Sequence, residues 1–169
     1  MATVTLKNNP VEIIGNLPAV GTKAPDFVLT KTDLSDLTLK DFAGLTLILN
    51  IFPSIDTSVC AASVRRFNLE ASKLENCRIL GISLDLPFAH KRFCEAEGIK
   101  NVITVSELRD SYFGDKYGIR MTSGPLSGLL ARSVVIIDSK GNIAYTQLVP
   151  EITQEPDYDK ALAFLKTIA

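Results

Sequence analysis

The chain contains 169 residues, of which 46% are apolar, which is enough for one compact core and too few for two comfortable domains. A formal net charge of -1 and a pI near 5.8 give no basic surface for nucleic acid or an anionic membrane, so neither partner is expected. The first residues, MATVTLKNNP, contain no apolar signal core, and no apolar stretch is long enough to cross a bilayer. Three cysteines in such a chain suit a reducing compartment, and we expect a cytoplasmic protein with a single domain over residues 1–169.

Two short hairpins are predicted before the main alternation of strands and helices. VTLK and VEIIG flank Asn8, Asn9 and Pro10, which predicts an N-terminal β-hairpin within about residues 1–16. FVLT and LTL, separated by KTDLSD, favour a second hairpin. The run TLILNIF, residues 46–52, is almost continuously apolar, as is typical of a strand buried on both faces.

The rest of the chain alternates helices with buried strands. Helices are predicted over residues 58–74 and from Pro87 to Gly98, which is expected to cap the helix. Two further helices are predicted over residues 110–117 and over PDYDKALAFLKTI, with Pro156 at its start. Strands are predicted at CRILGISL and VITV, and a hairpin at ARSVVIID and NIAYTQLV. This order predicts an α/β sandwich with a mixed central sheet flanked by helices.

Cys60 lies on the apolar stripe of the helix predicted over residues 58–74. Cys60, Val64, Phe67, Ala71 and Leu74 recur at alternating steps of four and three, which places them on one helix face. Free cysteine is among the most buried residue types, so Cys60 by this pattern alone can be an ordinary core residue.

The position of Cys60 along its helix favours a reactive thiol. Thr57 or Ser58 can cap the helix, which places Cys60 in the first turn, where free N–H groups and the helix dipole favour a thiolate. The preceding strand delivers this turn to the carboxyl edge of the sheet, where open α/β folds place their functional sites. Cys60 is therefore a candidate nucleophile.

Pro53, Thr57 and Cys60 form the pattern P-x-x-x-T-x-x-C, which resembles the active-site motif of the peroxiredoxins. The longer segments PSIDTSVCAASVRRFN, DLPFAHKRFC, NVITVSELR and EITQEPDY resemble the bacterial thiol peroxidase subfamily, an atypical two-cysteine group. The resemblance implies a thioredoxin-like fold, a homodimer, and reduction of hydrogen peroxide and alkyl hydroperoxides with thioredoxin as reductant. It also implies that Cys60 is the peroxidatic cysteine, that Thr57 holds its hydroxyl near the reacting oxygens, and that Pro53 shields the thiolate from water.

Arg132 interrupts the apolar segment GLLARSVVIID and is predicted to share a strand face with Leu130, Val134 and Ile136. The pattern alone is equally compatible with an edge arginine whose guanidinium reaches solvent. The family resemblance implies that Arg132 stabilises the Cys60 thiolate and the peroxide.

Cys94 lies near the end of the helix that Gly98 closes, where the dipole disfavours an anion, although Lys91 and Arg92 offset this effect. We therefore expect a less acidic thiol than that of Cys60, while an ordinary half-buried cysteine stays possible on spacing alone. The resemblance of DLPFAHKRFC to the family's resolving segment implies that Cys94 is the resolving cysteine and forms an intramolecular Cys60–Cys94 disulfide.

The other candidate groups favour simpler interpretations. Cys77 is predicted to be a small core or strand-edge residue, and His90, the single histidine, a solvated side chain. The histidine and cysteine spacing fits no zinc site, and no phosphate-binding loop is present, so no metal or organic cofactor is expected.

Two alternatives to a peroxidase stay open at this point. The run Cys60-Ala61-Ala62-Ser63 is a C-x-x-S pattern, which suits a glutaredoxin-like thiol oxidoreductase, although that interpretation leaves Pro53 and Thr57 unexplained. A redox-switched binding module also explains a sensitive cysteine but predicts no peroxide turnover.

Overall fold

A computed structural model describes residues 2–168, and its elements follow the predicted order. The strands are β1 (Thr3–Leu6), β2 (Asn9–Glu12), β3 (Val28–Lys31), β4 (Asp36–Thr38), β5 (Thr46–Ile51), β6 (Cys77–Ser83), β7 (Val102–Ser106), β8 (Ser133–Ile137) and β9 (Ile143–Leu148). The α-helices are α1 (Ser58–Ala71), α2 (Pro87–Glu97), α3 (Phe113–Lys116) and α4 (Tyr158–Ile168). A short 3₁₀ helix spans Leu39–Phe42.

The central sheet is mixed, as predicted. Within residues 2–168, its seven strands are ordered β4-β3-β7-β6-β5-β8-β9, and β1 and β2 form a separate two-stranded hairpin. Strands β5, β6 and β7 run parallel, while β8 pairs antiparallel with β5. The thioredoxin-like fold with an added N-terminal hairpin is therefore confirmed, and it brings the ends of β5 and β6 and the start of β8 to one sheet edge.

Strand β5 is buried on both faces because its apolar side chains alternate between two cores. Leu47, Leu49 and Ile51 belong to a core that also includes residues of the β1–β2 hairpin and of α3. Ile48 belongs to the other core, which is covered by α1, α2 and α4. Cys60 and Cys94 both lie in this second layer, so the fold places the two cysteines on the same side of the sheet.

Helix α1 shows the predicted apolar stripe but ends earlier than expected. Cys60, Val64 and Phe67 are buried, whereas Ala71 and Leu74 are only partly buried. The helix ends at Ala71 rather than at residue 74, and the chain turns through Ser72. Helix α4 begins at Tyr158, two residues later than the predicted start at Pro156. Gly98 caps α2 as predicted, with the left-handed φ of 65° that this role requires.

No helix among residues 2–168 combines the length and the apolar character needed to cross a bilayer.

Candidate active site

Cys60 is fully buried in the first turn of α1, directly beyond the carboxyl end of β5. Its Sγ accepts a hydrogen bond from Nη2 of Arg132, with the two atoms 3.3 Å apart. The sequence separates these residues widely, but β5 and β8 are paired, so the first turn of α1 and the start of β8 meet at one sheet edge. The structure thus brings a cation to the sulfur of the candidate nucleophile.

Arg132 is buried rather than solvated, with 2% of its surface exposed. Arg132 was predicted to share a strand face with Leu130 and Val134. It lies instead immediately before β8, outside the strand. Its Nε donates to the carbonyl oxygen of Ile152 at 3.0 Å. The interpretation of Arg132 as an edge residue with its guanidinium in solvent is therefore wrong.

The guanidinium of Arg132 has one nitrogen that is free to bind a further acceptor. Nη1 is buried and has no hydrogen-bond partner among the described residues, and no carboxylate of residues 2–168 forms an ion pair with this side chain. A buried cation without an anion is costly, so negative charge on a nearby group is favoured. The side-chain atom that the guanidinium contacts is the sulfur of Cys60.

Thr57 and Pro53 frame the segment that leads from β5 into α1. Pro53 is buried, whereas Thr57 is exposed and occupies the N-cap position of α1 with an extended backbone. The predicted capping bond from the Thr57 side chain is absent, because its Oγ1 instead donates to the carbonyl oxygen of Ser54 at 2.9 Å. The threonine hydroxyl is therefore oriented by the loop before the helix rather than by the helix.

Two buried polar residues, Ser63 and Asn50, form hydrogen bonds that hold the first turn of α1. Ser63 donates to the carbonyl oxygen of Cys60 at 2.7 Å, and Asn50 of β5 donates through Nδ2 to the Ser63 hydroxyl at 3.1 Å. Ser63, the last residue of the C-x-x-S pattern, therefore hydrogen-bonds to the backbone of the turn. Asn50 was not singled out from the sequence, where it interrupts the apolar run TLILNIF.

Cys94 lies in α2 and is partly buried, with its Sγ 3.4 Å from Oγ1 of Thr104 on β7. Burial raises the pKa of this thiol, and the Thr104 hydrogen bond offsets part of that effect. Burial is the largest cause of this raised pKa, and the expected difference in acidity from Cys60 stays a prediction. Cys60, Cys77 and Cys94 are all free, and Cys60 and Cys94 have different hydrogen-bond partners.

Cys77 begins β6 and is buried, as predicted for a core or strand-edge residue. Burial raises its pKa to about 11, with Arg78 lowering it only in part. Its thiol is therefore protonated at neutral pH and poorly suited to nucleophilic attack.

The prediction of a solvated His90 is wrong. Its side chain is fully buried, and its Nε2 lies 2.8 Å from the Ser83 hydroxyl. The signal was present in the sequence: Pro87, His90 and Phe93 recur every three residues, and all three are buried on one side of α2. Asp85 was assigned no role from the sequence. In the structure this residue lies beside His90 and accepts hydrogen bonds from the segment that precedes Cys60.

The chain is similar to known proteins over almost its whole length. The Redoxin family model matches residues 19–162. Thiol peroxidases of Mycobacterium tuberculosis strain H37Rv and Mycobacterium bovis are each 53% identical over 165 residues, covering 98% of this chain and 99% of the relative. Among solved structures, a peroxiredoxin-like protein from Aquifex aeolicus has a TM-score of 0.93 at 40% identity, covering 100% of this chain and 98% of that one. A thiol peroxidase from Chromobacterium violaceum has a TM-score of 0.87 and, at 22% identity over 98% of this chain and 95% of that one, supports the fold alone.

The chain therefore belongs to the redoxin family. Within that family it is a peroxiredoxin of the bacterial thiol peroxidase subfamily, and its activity is that of a thiol-dependent peroxidase. These matches favour the peroxidase over both the glutaredoxin-like oxidoreductase and the redox-switched binding module considered from the sequence.

Proposed function

We propose that Cys60 is the peroxidatic cysteine of this enzyme and acts on hydrogen peroxide and alkyl hydroperoxides. Its thiolate attacks one peroxide oxygen, the O–O bond breaks, and the other oxygen leaves with a proton as water or an alcohol. Cys60 is thereby oxidised to a sulfenic acid and the peroxide is reduced. The observation that carries this proposal is the hydrogen bond of 3.3 Å from the buried guanidinium of Arg132 to the sulfur of Cys60.

Arg132 supplies the positive charge in this mechanism. Its Nη2 stabilises the thiolate, and the spare donor at Nη1 is available to the oxygen on which negative charge develops. Pro53, which is buried at the start of the loop, shields the sulfur from water. These roles of Arg132 and Pro53 are supported by the match of the chain to peroxiredoxins.

Thr57 orients the peroxide. Because its hydroxyl proton is donated to the carbonyl oxygen of Ser54, its oxygen lone pairs stay free to accept a hydrogen bond from the O–H of a hydroperoxide. Thr57 is exposed at the start of α1, where an incoming substrate can reach it.

Replacing Thr57 with Val is expected to slow peroxide reduction by a factor of ten or more, about 1.4 kcal/mol of transition-state stabilisation. Valine cannot accept a hydrogen bond from the peroxide. Because valine keeps the shape of threonine, the fold should be unchanged. The rate of Cys60 oxidation by hydrogen peroxide, followed by rapid quenching and mass spectrometry, measures the effect. Thr57→Ser is the matched control and should retain most of the rate, and wild-type speed in Thr57→Val would remove the assigned role.

Cys94 is proposed to resolve the sulfenic acid. The Cys94 thiol loses its proton and attacks the sulfur of the Cys60 sulfenic acid, so that the S–O bond breaks, a disulfide forms and the leaving hydroxide takes up a proton to become water. Cys60 and Cys94 are each seated in a separate helix with a separate partner, and a disulfide requires Cα atoms within about 7 Å. We therefore propose that the first turn of α1 and the end of α2 loosen after oxidation and expose the disulfide to thioredoxin.

Peptide mapping of peroxide-treated protein without reductant is expected to give an intramolecular Cys60–Cys94 disulfide as the main product. Hydrogen exchange is expected to show lower protection of the first turn of α1 and the end of α2 in the oxidised protein. The β8–β9 hairpin, which carries no cysteine, is the internal control. A dominant Cys60–Cys77 bridge would overturn the resolving role of Cys94, and equal protection in both redox states would overturn the motion.

We further propose that thioredoxin is the reductant and that the protein is a homodimer. Its role is antioxidant defence in the cytoplasm. The thiol peroxidase subfamily supports thioredoxin as reductant, and the three free cysteines suit a reducing compartment. Exposed Leu86, Phe88 and Leu108, on the segments that follow β6 and β7, are apolar side chains of the kind that subunit contacts cover. Peroxide turnover with a thioredoxin system, compared with glutathione, tests the reductant, and sedimentation tests the dimer.

A further inference from the structure

A buried hydrogen-bond network connects α2 to the segment that precedes Cys60. Ser83, at the end of β6, donates its hydroxyl proton to Oδ2 of Asp85 at 2.6 Å. The Ser83 hydroxyl has only one proton, so Nε2 of His90 must donate to Ser83 Oγ across the 2.8 Å that separates them. The histidine of α2 therefore fixes the serine, and the serine fixes the carboxylate.

The carboxylate of Asp85 holds the segment before α1 through both of its oxygens. Oδ1 accepts from the Ser54 hydroxyl at 2.8 Å, and Oδ2 accepts from the backbone N–H of Ile55 at 2.7 Å. Burial raises the pKa of Asp85, but the nearby His90 and the hydrogen bonds from Ser83, Ile55 and Ser54 outweigh it and lower the pKa to about 2. Asp85 is therefore ionised at neutral pH, and each of these bonds is a bond to a charged acceptor.

The segment that Asp85 holds is the one that orients Thr57. The carbonyl oxygen of Ser54 accepts both the hydroxyl proton of Thr57, at 2.9 Å, and its backbone N–H, at 3.2 Å. The position of the Ser54–Ile55 peptide unit therefore determines where the Thr57 hydroxyl points. A second contact, the ion pair of Arg92 on α2 with Asp56, joins the same segment to the same helix.

We propose that Asp85 is a positioning residue for peroxide reduction: by holding Ser54 and Ile55 it orients the Thr57 hydroxyl, while His90 holds Asp85 through Ser83. This inference rests on the proposed function, in which Thr57 binds the peroxide that Cys60 attacks. Neither Asp85 nor His90 hydrogen-bonds to the sulfur of Cys60, whose side-chain hydrogen bond comes from Arg132. The network therefore acts on the orientation of the substrate rather than on the thiol itself.

The test is a double-mutant cycle between Asp85 and Thr57, with the rate of Cys60 oxidation by hydrogen peroxide as the readout. Asp85→Asn keeps the size of the side chain but removes its charge and turns one acceptor into a donor. We expect it to slow oxidation fivefold or more when Thr57 is present, and twofold or less in the Thr57→Val background. Such non-additivity arises only if Asp85 acts through Thr57.

Alkylation of reduced Cys60 by iodoacetamide separates positioning from a general structural effect. Iodoacetamide has no peroxide O–H that Thr57 could bind. Asp85→Asn should therefore change the rate of Cys60 alkylation by less than twofold. Asp138→Asn is the matched control, because Asp138 also accepts two backbone N–H bonds, from Lys140 and Asn142, but lies at the opposite edge of the sheet. It should leave both rates at the wild-type value.

Each outcome of the cycle decides one assignment. If Thr57→Val is slow but Asp85→Asn is not, the positioning role of Asp85 is wrong and the proposed function stands. Equal losses from Asp85→Asn in both backgrounds, or a parallel change in alkylation, would also overturn it. Wild-type speed in Thr57→Val would overturn the role of Thr57 and this inference together. If Asp85→Asn does not fold, Ser54→Ala takes its place, because it removes one of the two hydrogen bonds to Asp85. We expect Ser54→Ala to slow Cys60 oxidation twofold or more when Thr57 is present and to have no effect in the Thr57→Val background.

Discussion

Replacing Cys60 with Ser is expected to abolish peroxidase activity. A serine hydroxyl is scarcely ionised at neutral pH, and its oxygen is a much weaker nucleophile toward a peroxide than a thiolate sulfur. No other cysteine can replace Cys60, because Cys77 lies at the start of β6, at the opposite end of the strands, and Cys94 is hydrogen-bonded to Thr104 on β7. A coupled assay with a thioredoxin system should therefore show no peroxide consumption above the rate without enzyme.

Cys77→Ser is the matched control for this result. Cys77 is also buried, but its raised pKa makes it unreactive, so this variant should turn over peroxide at the wild-type rate. Substantial activity in Cys60→Ser, or its loss in Cys77→Ser, would contradict the assignment of the nucleophile.

Replacing Arg132 with Met is expected to slow peroxide reduction by a factor of ten or more, which corresponds to at least about 1.4 kcal/mol. Methionine fills the space of the arginine stem but removes both the donor to Cys60 Sγ and the spare donor at Nη1. The fold should persist, because Arg132 has no carboxylate partner among residues 2–168 whose charge the substitution would leave uncompensated.

Arg78→Met provides the control for loss of an arginine. Arg78 is exposed near the start of β6, at the sheet edge opposite to Cys60, and should contribute nothing to the reaction. Circular dichroism checks the fold of both variants, and the rate of Cys60 oxidation reports on the reaction. Oxidation of Arg132→Met at the wild-type rate would mean that its contact with sulfur has no catalytic role.

The fold followed from the sequence because its signals are local. The continuous apolar run of β5 predicts a strand with two covered faces, and the steps of four and three from Cys60 to Phe67 predict the buried side of α1. The turn between them then had to place Cys60 at the carboxyl edge of the sheet. Helix ends were less predictable, since the last turns of α1 and the start of α4 depend on contacts rather than on periodicity.

The surroundings of the sulfur were not predictable from local pattern, because they depend on residues that are distant in the sequence. The contact of Arg132 with Cys60 spans 72 residues, and the bond of Ser54 to Asp85 spans 31. Arg132 was singled out by family resemblance, whereas its burial follows from the meeting of β5, β8 and the segment around Ile152. His90 was assigned to solvent because a histidine among polar neighbours reads as exposed, although its spacing from Phe93 indicated the buried face.

Identification of the first residue that peroxide oxidises tests the central claim most directly. Cys94→Ser protein, which lacks the proposed resolving thiol, is treated with one equivalent of hydrogen peroxide in the presence of a sulfenic acid trap, and the labelled peptide is sequenced by mass spectrometry. The mechanism predicts that the label is on Cys60 and that Arg132→Met slows its appearance. A label on Cys77, or an unmodified Cys60 after the peroxide has been consumed, would contradict it.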